Sequence, residues 1–187
     1  MKITIGITGA SGSIYALRLL EVLRQGGHEL HAVVTDSGWR VLAYECGVDR
    51  AALAERVDVL YDVADIGAAI ASGSFLMDAM VVVPCSMKTA ACIAGGISDN
   101  LLTRAADVAL KEGRPLLLVP RETPMHAIHL ENLLKLARLG VKVLPACPAF
   151  YHRPESVADI VDMLVGKICD SLGVEHHLFT RWQGEQS

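Results

Sequence analysis

Aromatic residues are scarce in this 187-residue chain: Phe, Trp and Tyr together make up 5% of it, against a hydrophobic fraction of 52%. A core must therefore be assembled from Ala, Val, Leu and Ile, the composition of a parallel sheet covered by helices on both faces. Long apolar runs are also missing. No stretch reaches about 18 uncharged apolar residues, the minimum for a membrane-spanning helix, although the mean hydropathy is high at +0.38. The surplus of apolar surface is therefore assigned to contacts between subunits. A first strand that begins at Ile3 leaves no room for a signal peptide. The net charge of -4 lacks the positive excess of a general nucleic-acid binder. The five cysteines, Cys46, Cys85, Cys92, Cys147 and Cys169, show neither CxxC pairing nor zinc-ligand spacing. They read as reduced thiols of a cytoplasmic protein, with Cys85 the one that falls inside a ligand loop. The seven histidines form no HExxH or facial-triad pattern, so no metal is expected. No G-x-S-x-G elbow is present, which removes the usual serine hydrolase.

The length suffices for one domain with a substantial core, read here as residues 1–172 with a polar tail at 173–187. Strands are expected over 3–7, 30–35, 79–83 (ended by Pro84), 115–119 and 141–144, with a weaker one over 57–61. Helices are expected over 14–25, 37–46, 65–71, 89–94, 99–111 with Ser98 as its cap, 125–139 and 155–172. Strands alternating with helices imply right-handed βαβ units and a mainly parallel sheet. The expected fold is a doubly wound, flavodoxin- or Rossmann-like α/β three-layer sandwich, which binds ligands at the carboxyl ends of its strands.

Two loops of small and hydroxyl residues leave strands and enter helices: Gly6-Ile7-Thr8-Gly9-Ala10-Ser11-Gly12 and Pro84-Cys85-Ser86-Met87-Lys88-Thr89. Each is expected to offer backbone N–H groups at a positive helix end, where a phosphate binds. The first is spaced G-x-x-G-x-x-G and not G-x-G-x-x-G, which favours a mononucleotide such as FMN over a dinucleotide. Arg104 and Lys111, seven residues apart, share one helix face, and Arg121-Glu122 follows a later strand. Cations beside one carboxylate suit a second phosphate and its proton, although an ordinary surface ion-pair set has the same spacing.

These motifs, with Asp99-Asn100-Leu101-Leu102-Thr103-Arg104-Ala105-Ala106-Asp107, Arg121-Glu122-Thr123-Pro124 and Pro148-Ala149-Phe150-Tyr151-His152-Arg153-Pro154, resemble the UbiX/Pad1 family of flavin prenyltransferases from Ile3 to Trp182. The resemblance implies a dodecamer with active sites at subunit junctions. It implies transfer of a dimethylallyl group from dimethylallyl phosphate to N5 and C6 of reduced FMN. The product, prenylated FMN, would pass to a UbiD-type decarboxylase of ubiquinone synthesis or aromatic-acid breakdown. The FMN contacts it implies are Gly9, Ala10, Ser11, Thr35, Ser86, Met87, Lys88, Thr89 and Arg121. The donor phosphate falls to Arg104, Lys111, Glu122, Tyr151 and Lys167, with catalytic roles for Ser11, Glu45, Glu122 and Trp182. Lys167 stands where some relatives carry arginine, which keeps the charge but loses a bidentate fork. The competing readings are an FMN-dependent decarboxylase, of aromatic acids or of cysteinyl substrates, and a flavin carrier without chemistry of its own. The cation set argues against the carrier, which needs no second phosphate site.

Overall fold

Short β-branched and leucine-rich runs form the strands β1 (Lys2–Ile7), β2 (Glu29–Val34), β3 (Val59–Tyr61), β4 (Ala79–Cys85), β5 (Leu116–Pro120) and β6 (Lys142–Val143). They make one sheet in the order β3-β2-β1-β4-β5-β6, parallel at every pairing. The computed structural model describes residues 1–182 and 184; positions 183 and 185–187 of the tail assigned to the site lie outside the described residues.

Among the described residues, seven α-helices connect and cover the strands: α1 (Ser13–Gln25), α2 (Asp36–Cys46), α3 (Arg50–Ala54), α4 (Met87–Gly95), α5 (Leu101–Lys111), α6 (Ala127–Arg138) and α7 (Val157–Leu172). Alternate residues of β4 and β5 feed two cores, as the two-residue period of a strand requires. Val81, Val83, Leu117 and Val119 pack with α1 and α7 on one face. Met80, Val82, Leu116 and Leu118 pack with α4, α5 and α6 on the other. The result is the expected three-layer, doubly wound sandwich. Its connections run outward in opposite directions from β1 and β4, so the crevice lies between the carboxyl ends of these two strands.

Four local expectations are corrected. β4 continues through Pro84 to Cys85, because Pro84 keeps its carbonyl, which accepts the Thr8 N–H at 3.3 Å. α5 starts at Leu101 and is capped by Asn100, not Ser98. The Asn100 Oδ1 accepts the Thr103 N–H at 3.0 Å while Thr103 Oγ1 accepts the Asn100 N–H at 3.3 Å, a reciprocal box that a serine two residues earlier cannot make. Residues 65–71 form turns with a 3₁₀ turn only at Ala69–Ala71; the Asp65 carboxylate accepts the Gly67 N–H at 3.1 Å and diverts the chain from a helix. α3, too short for a visible periodicity, was not expected; Asp49 caps it through the Ala52 N–H at 2.8 Å. The tail is less solvated than its composition implies, since Val174 and His176 are buried.

Candidate functional site

The switch point is closed from beneath by Thr8, the residue that follows β1. Its hydroxyl donates to the Pro84 carbonyl at 2.7 Å and accepts the Ser86 N–H at 2.8 Å. Above this stitch opens a pocket of about 340 Å³, lined by Gly9, Thr35, Asp36, Ser37, Val63, Ser86, Lys88, Thr89, Cys92, Asp99, Asn100 and Thr103.

Three helix N-termini border it, those of α4, α2 and α5, the last through its cap Asn100. At α4, Ser86 Oγ accepts the Thr89 N–H at 3.3 Å and lies 3.0 Å from the Thr89 hydroxyl. The first-turn N–H groups of Met87 and Lys88 have no acceptor within the helix, and they sit at the positive end of its dipole. This is an anion-binding end. The Met87 side chain is buried in the core, so its share in the site is its backbone. The Lys88 ammonium is largely solvated, 4.0 Å from Asp99. At α2, Thr35 Oγ1 accepts the Gly38 N–H at 3.1 Å, leaving the hydroxyl hydrogen for a ligand. Gly9 joins the two ends: a Cβ there would lie 2.4 Å from the Ser37 Cβ, so the loop can press against α2 only as glycine. Ala10 beside it is buried.

A second hollow, about 410 Å³, gathers Ser11, Gly12, Tyr15, Glu45 and Arg121. Here the expectation of two equivalent phosphate loops needs correction. The Glu45 carboxylate accepts the Gly12 N–H at 3.0 Å and the Ser13 N–H at 2.9 Å, so the positive end of α1 is already occupied by an anion of the chain itself. Burial pushes the Glu45 carboxyl upward, but hydrogen bonds from the Ser11 hydroxyl and from the Gly12 and Ser13 N–H groups outweigh it and hold it below the ordinary range. Arg121 Nε donates to the Ser11 carbonyl at 3.1 Å. Glu122 lines neither hollow and accepts the Thr123 N–H at 3.1 Å.

The remaining residues lie elsewhere in the chain. Tyr151 and Trp182 meet edge to face, 6.0 Å between centroids, in a recess shared with His152 and Arg181. The Lys167 ammonium lies 3.5 Å from Asp170. Arg104 Nε donates to the Ala71 carbonyl at 3.2 Å and its Nη1 to Asp107 at 2.8 Å; Lys111 pairs with Glu112. Arg104 and Lys111 are on α5 and Lys167 is on α7, and these helices pack on opposite faces of the sheet. One chain therefore does not bring the three cations together.

A family model described as Flavoprotein matches residues 1–169. A flavin prenyltransferase UbiX from Methanothermobacter thermautotrophicus is 48% identical over 183 residues, 98% of this chain and 96% of that protein. This chain belongs to the flavin prenyltransferase family. Among solved structures, a dodecameric FMN-dependent UbiX-like decarboxylase from Escherichia coli O157:H7 is 46% identical, with a TM-score of 0.96 over 98% of this chain and 100% of that one. AnUbiX (PadA1) in complex with FMN and dimethylallyl pyrophosphate is 39% identical, with a TM-score of 0.97 over 99% of this chain and 98% of that one.

In this flavin prenyltransferase chain the sequence reading missed Thr8, whose only signal was a hydroxyl residue directly after a buried strand. It singled out Cys85 as a ligand-loop thiol, but Cys85 is fully buried and burial pushes its thiol up to about 12, so it is a core residue. Cys92 lines the pocket instead. Among the described residues no group of three His, Cys, Asp or Glu side chains converges as a metal site, and no helix is long and apolar enough to cross a membrane.

Proposed function

We propose that this chain transfers the dimethylallyl group of dimethylallyl phosphate to reduced FMN, making prenylated FMN for a UbiD-type decarboxylase. The observation that carries the reading is the near-complete likeness, at a TM-score of 0.97, to a relative in complex with FMN and dimethylallyl pyrophosphate. The pocket supports it independently. A helix N-terminus for a phosphate, a hydroxyl at Thr35 and a glycine that brings backbone within reach fit a mononucleotide.

In this reading FMN is held by Gly9, Ala10, Ser11, Thr35, the Ser86–Thr89 turn and Arg121. Reduced FMN supplies the nucleophilic N5 and C6 that accept the prenyl group. The donor phosphate is held by Arg104, Lys111, Glu122, Tyr151 and Lys167. Fixed cations stabilise the charge that grows on the leaving oxygen without reorganising as the C–O bond breaks. The Glu122 carboxyl carries a proton to a phosphate oxygen. The Ser11 hydroxyl, which shares the second hollow with Glu45, steers the proton at the reacting nitrogen. The Trp182 face shelters the developing allyl cation from water.

Arg104 and Lys111 lie on the face of the sheet opposite Lys167, which supports an oligomer whose sites lie between copies. A dodecamer like that of the E. coli relative is the assembly we propose. The exposed Ile128, Leu130, Leu134 and Leu139 of and beside α6 supply apolar surface for it. The five cysteines are all free, which supports a reducing cytoplasmic setting. The chain acts as one domain, with the tail from Gly173 contributing to the site.

The test is anaerobic. Purified protein is mixed with reduced FMN and either dimethylallyl phosphate or the diphosphate, and the extracted flavin is weighed by mass spectrometry. A gain of one prenyl unit is expected. FMN that binds tightly and is never alkylated by either donor overturns the proposal.

A further inference from the structure

α7 carries a glycine, Gly166, in its interior, where glycine costs about 1 kcal/mol relative to alanine. The tail explains it. A Cβ on Gly166 would lie 2.5 Å from the Phe179 ring and 2.6 Å from the His176 ring, so the missing side chain is the notch in which the tail sits. Gly173, in the left-handed region at φ 72°, turns the chain back, and the Val174 N–H donates to the Cys169 carbonyl at 2.9 Å.

One carboxylate then collects the returning chain. Asp170 accepts a two-pronged contact from Arg181, Nη1 to Oδ2 at 3.0 Å and Nη2 to Oδ1 at 2.7 Å. The Arg181 guanidinium also lies over Phe179, 5.5 Å from the ring centroid. His176 joins the same carboxylate. Its Nδ1 accepts the Leu178 N–H at 3.2 Å and its Nε2 lies 3.0 Å from Asp170 Oδ1. The Lys167 ammonium stands 3.5 Å from Oδ2. Trp182, next after Arg181, is thereby brought edge to face with Tyr151. Asp170 thus faces the Arg181 and Lys167 cations and the His176 imidazole together.

We propose that Asp170 is a positioning residue for prenyl transfer: acting through Arg181 and Lys167, it holds the tail and the Lys167 ammonium in register for the phosphate of the donor. The proposal rests on the function given above. It makes a prediction opposite in sign to plain charge counting. If Asp170 only competed with phosphate for Lys167, Asp170→Asn would add positive charge and tighten donor binding. If Asp170 positions its partners, the same change loosens them and weakens donor binding.

The experiment measures kcat and KM for dimethylallyl phosphate with reduced FMN, and FMN affinity separately, on the intact oligomer. For Asp170→Asn we expect a rise of about tenfold in donor KM, the loss of one charge-assisted contact, with FMN affinity within twofold of the parent. Gly166→Ala is the companion variant: it changes no charge and favours the helix, but it evicts the tail rings, and it is expected to raise donor KM in the same way. A donor KM that is unchanged or lower in either folded variant overturns the proposal, and so does a loss confined to FMN affinity or melting temperature, the mark of a merely structural role. A parent protein that forms no prenylated flavin overturns the functional reading, and this proposal with it, before any variant is compared.

Discussion

Replacing Thr8 by valine removes one hydroxyl and keeps the shape. In the folded chain that hydroxyl makes two bonds at once, to the Pro84 carbonyl at 2.7 Å and from the Ser86 N–H at 2.8 Å, at a residue that is 1% exposed. The carbonyl keeps a partner in Thr8→Val, because the Thr8 N–H also donates to it at 3.3 Å. The Ser86 N–H does not, and a half-buried donor left facing a methyl group without an acceptor costs about 1–3 kcal/mol. Taking about 2 kcal/mol, and 2–4 °C per kcal/mol for a chain of this length, the melting temperature should fall by roughly 4–8 °C. Ser86 is also the cap of α4, so the same loss loosens the helix end that faces the pocket, and FMN affinity should fall with it. Thr8→Ser keeps both bonds and loses a buried methyl worth about 0.8 kcal/mol; it should melt closer to the parent and bind FMN normally. Thermal unfolding and fluorescence titration with FMN measure both effects. Thr8→Val that melts and binds like the parent, or Thr8→Ser that is as damaged as Thr8→Val, would refute the stitch.

Gly9→Ala places a Cβ 2.4 Å from the Ser37 Cβ, which is no flexible end; the first loop must retreat from α2 at a cost of about 1–3 kcal/mol, and FMN titration should show affinity weakened by tenfold or more. Glu45→Gln should destabilise the protein at neutral pH and not in acid. The Glu45 carboxyl is held below its ordinary 4.5 when folded, so its stabilisation is present above that value and disappears as the pH falls through the depressed one; melting curves of parent and variant should converge under acid. Alkylation by iodoacetamide at pH 8, mapped by peptide mass, should modify exposed Cys147 in the native protein. Cys85 and Cys169, whose thiols burial pushes up to about 12 and about 11, should react only after unfolding.

The fold was legible wherever a segment's own pattern decided its state. β4 and β5 are continuous apolar runs, β1 places isoleucine at every second position, and α1, α5 and α7 repeat at helical spacing. β6, two residues long, and α3, five residues long, carry too little pattern to be read with the right length or at all; they exist because neighbours pair with them or cap them. The 65–71 stretch went wrong for the same reason in reverse, since one Asp65–Gly67 bond outweighs a weak helical preference.

Strand alternation and two hydroxyl-rich turns were enough to put a phosphate-binding crevice at the carboxyl ends of the strands, because a parallel sheet has no other place where helix N-termini converge. Which of those N-termini is open depended on residues distant in the chain. Glu45 lies 33 positions from Gly12 and fills the end of α1, a fact of packing that local spacing does not carry. The tail is the sharper case. Its composition reads as polar and solvated, yet Gly166 makes a notch for its rings and Asp170 a counter-charge for Arg181, and those two features acquire meaning only when the chain returns across α7. Periodicity and turn chemistry act between near neighbours and so can be read along the sequence. Occupancy of a helix end, and the surface against which a tail comes to rest, are set by side chains that meet only after the sheet has closed.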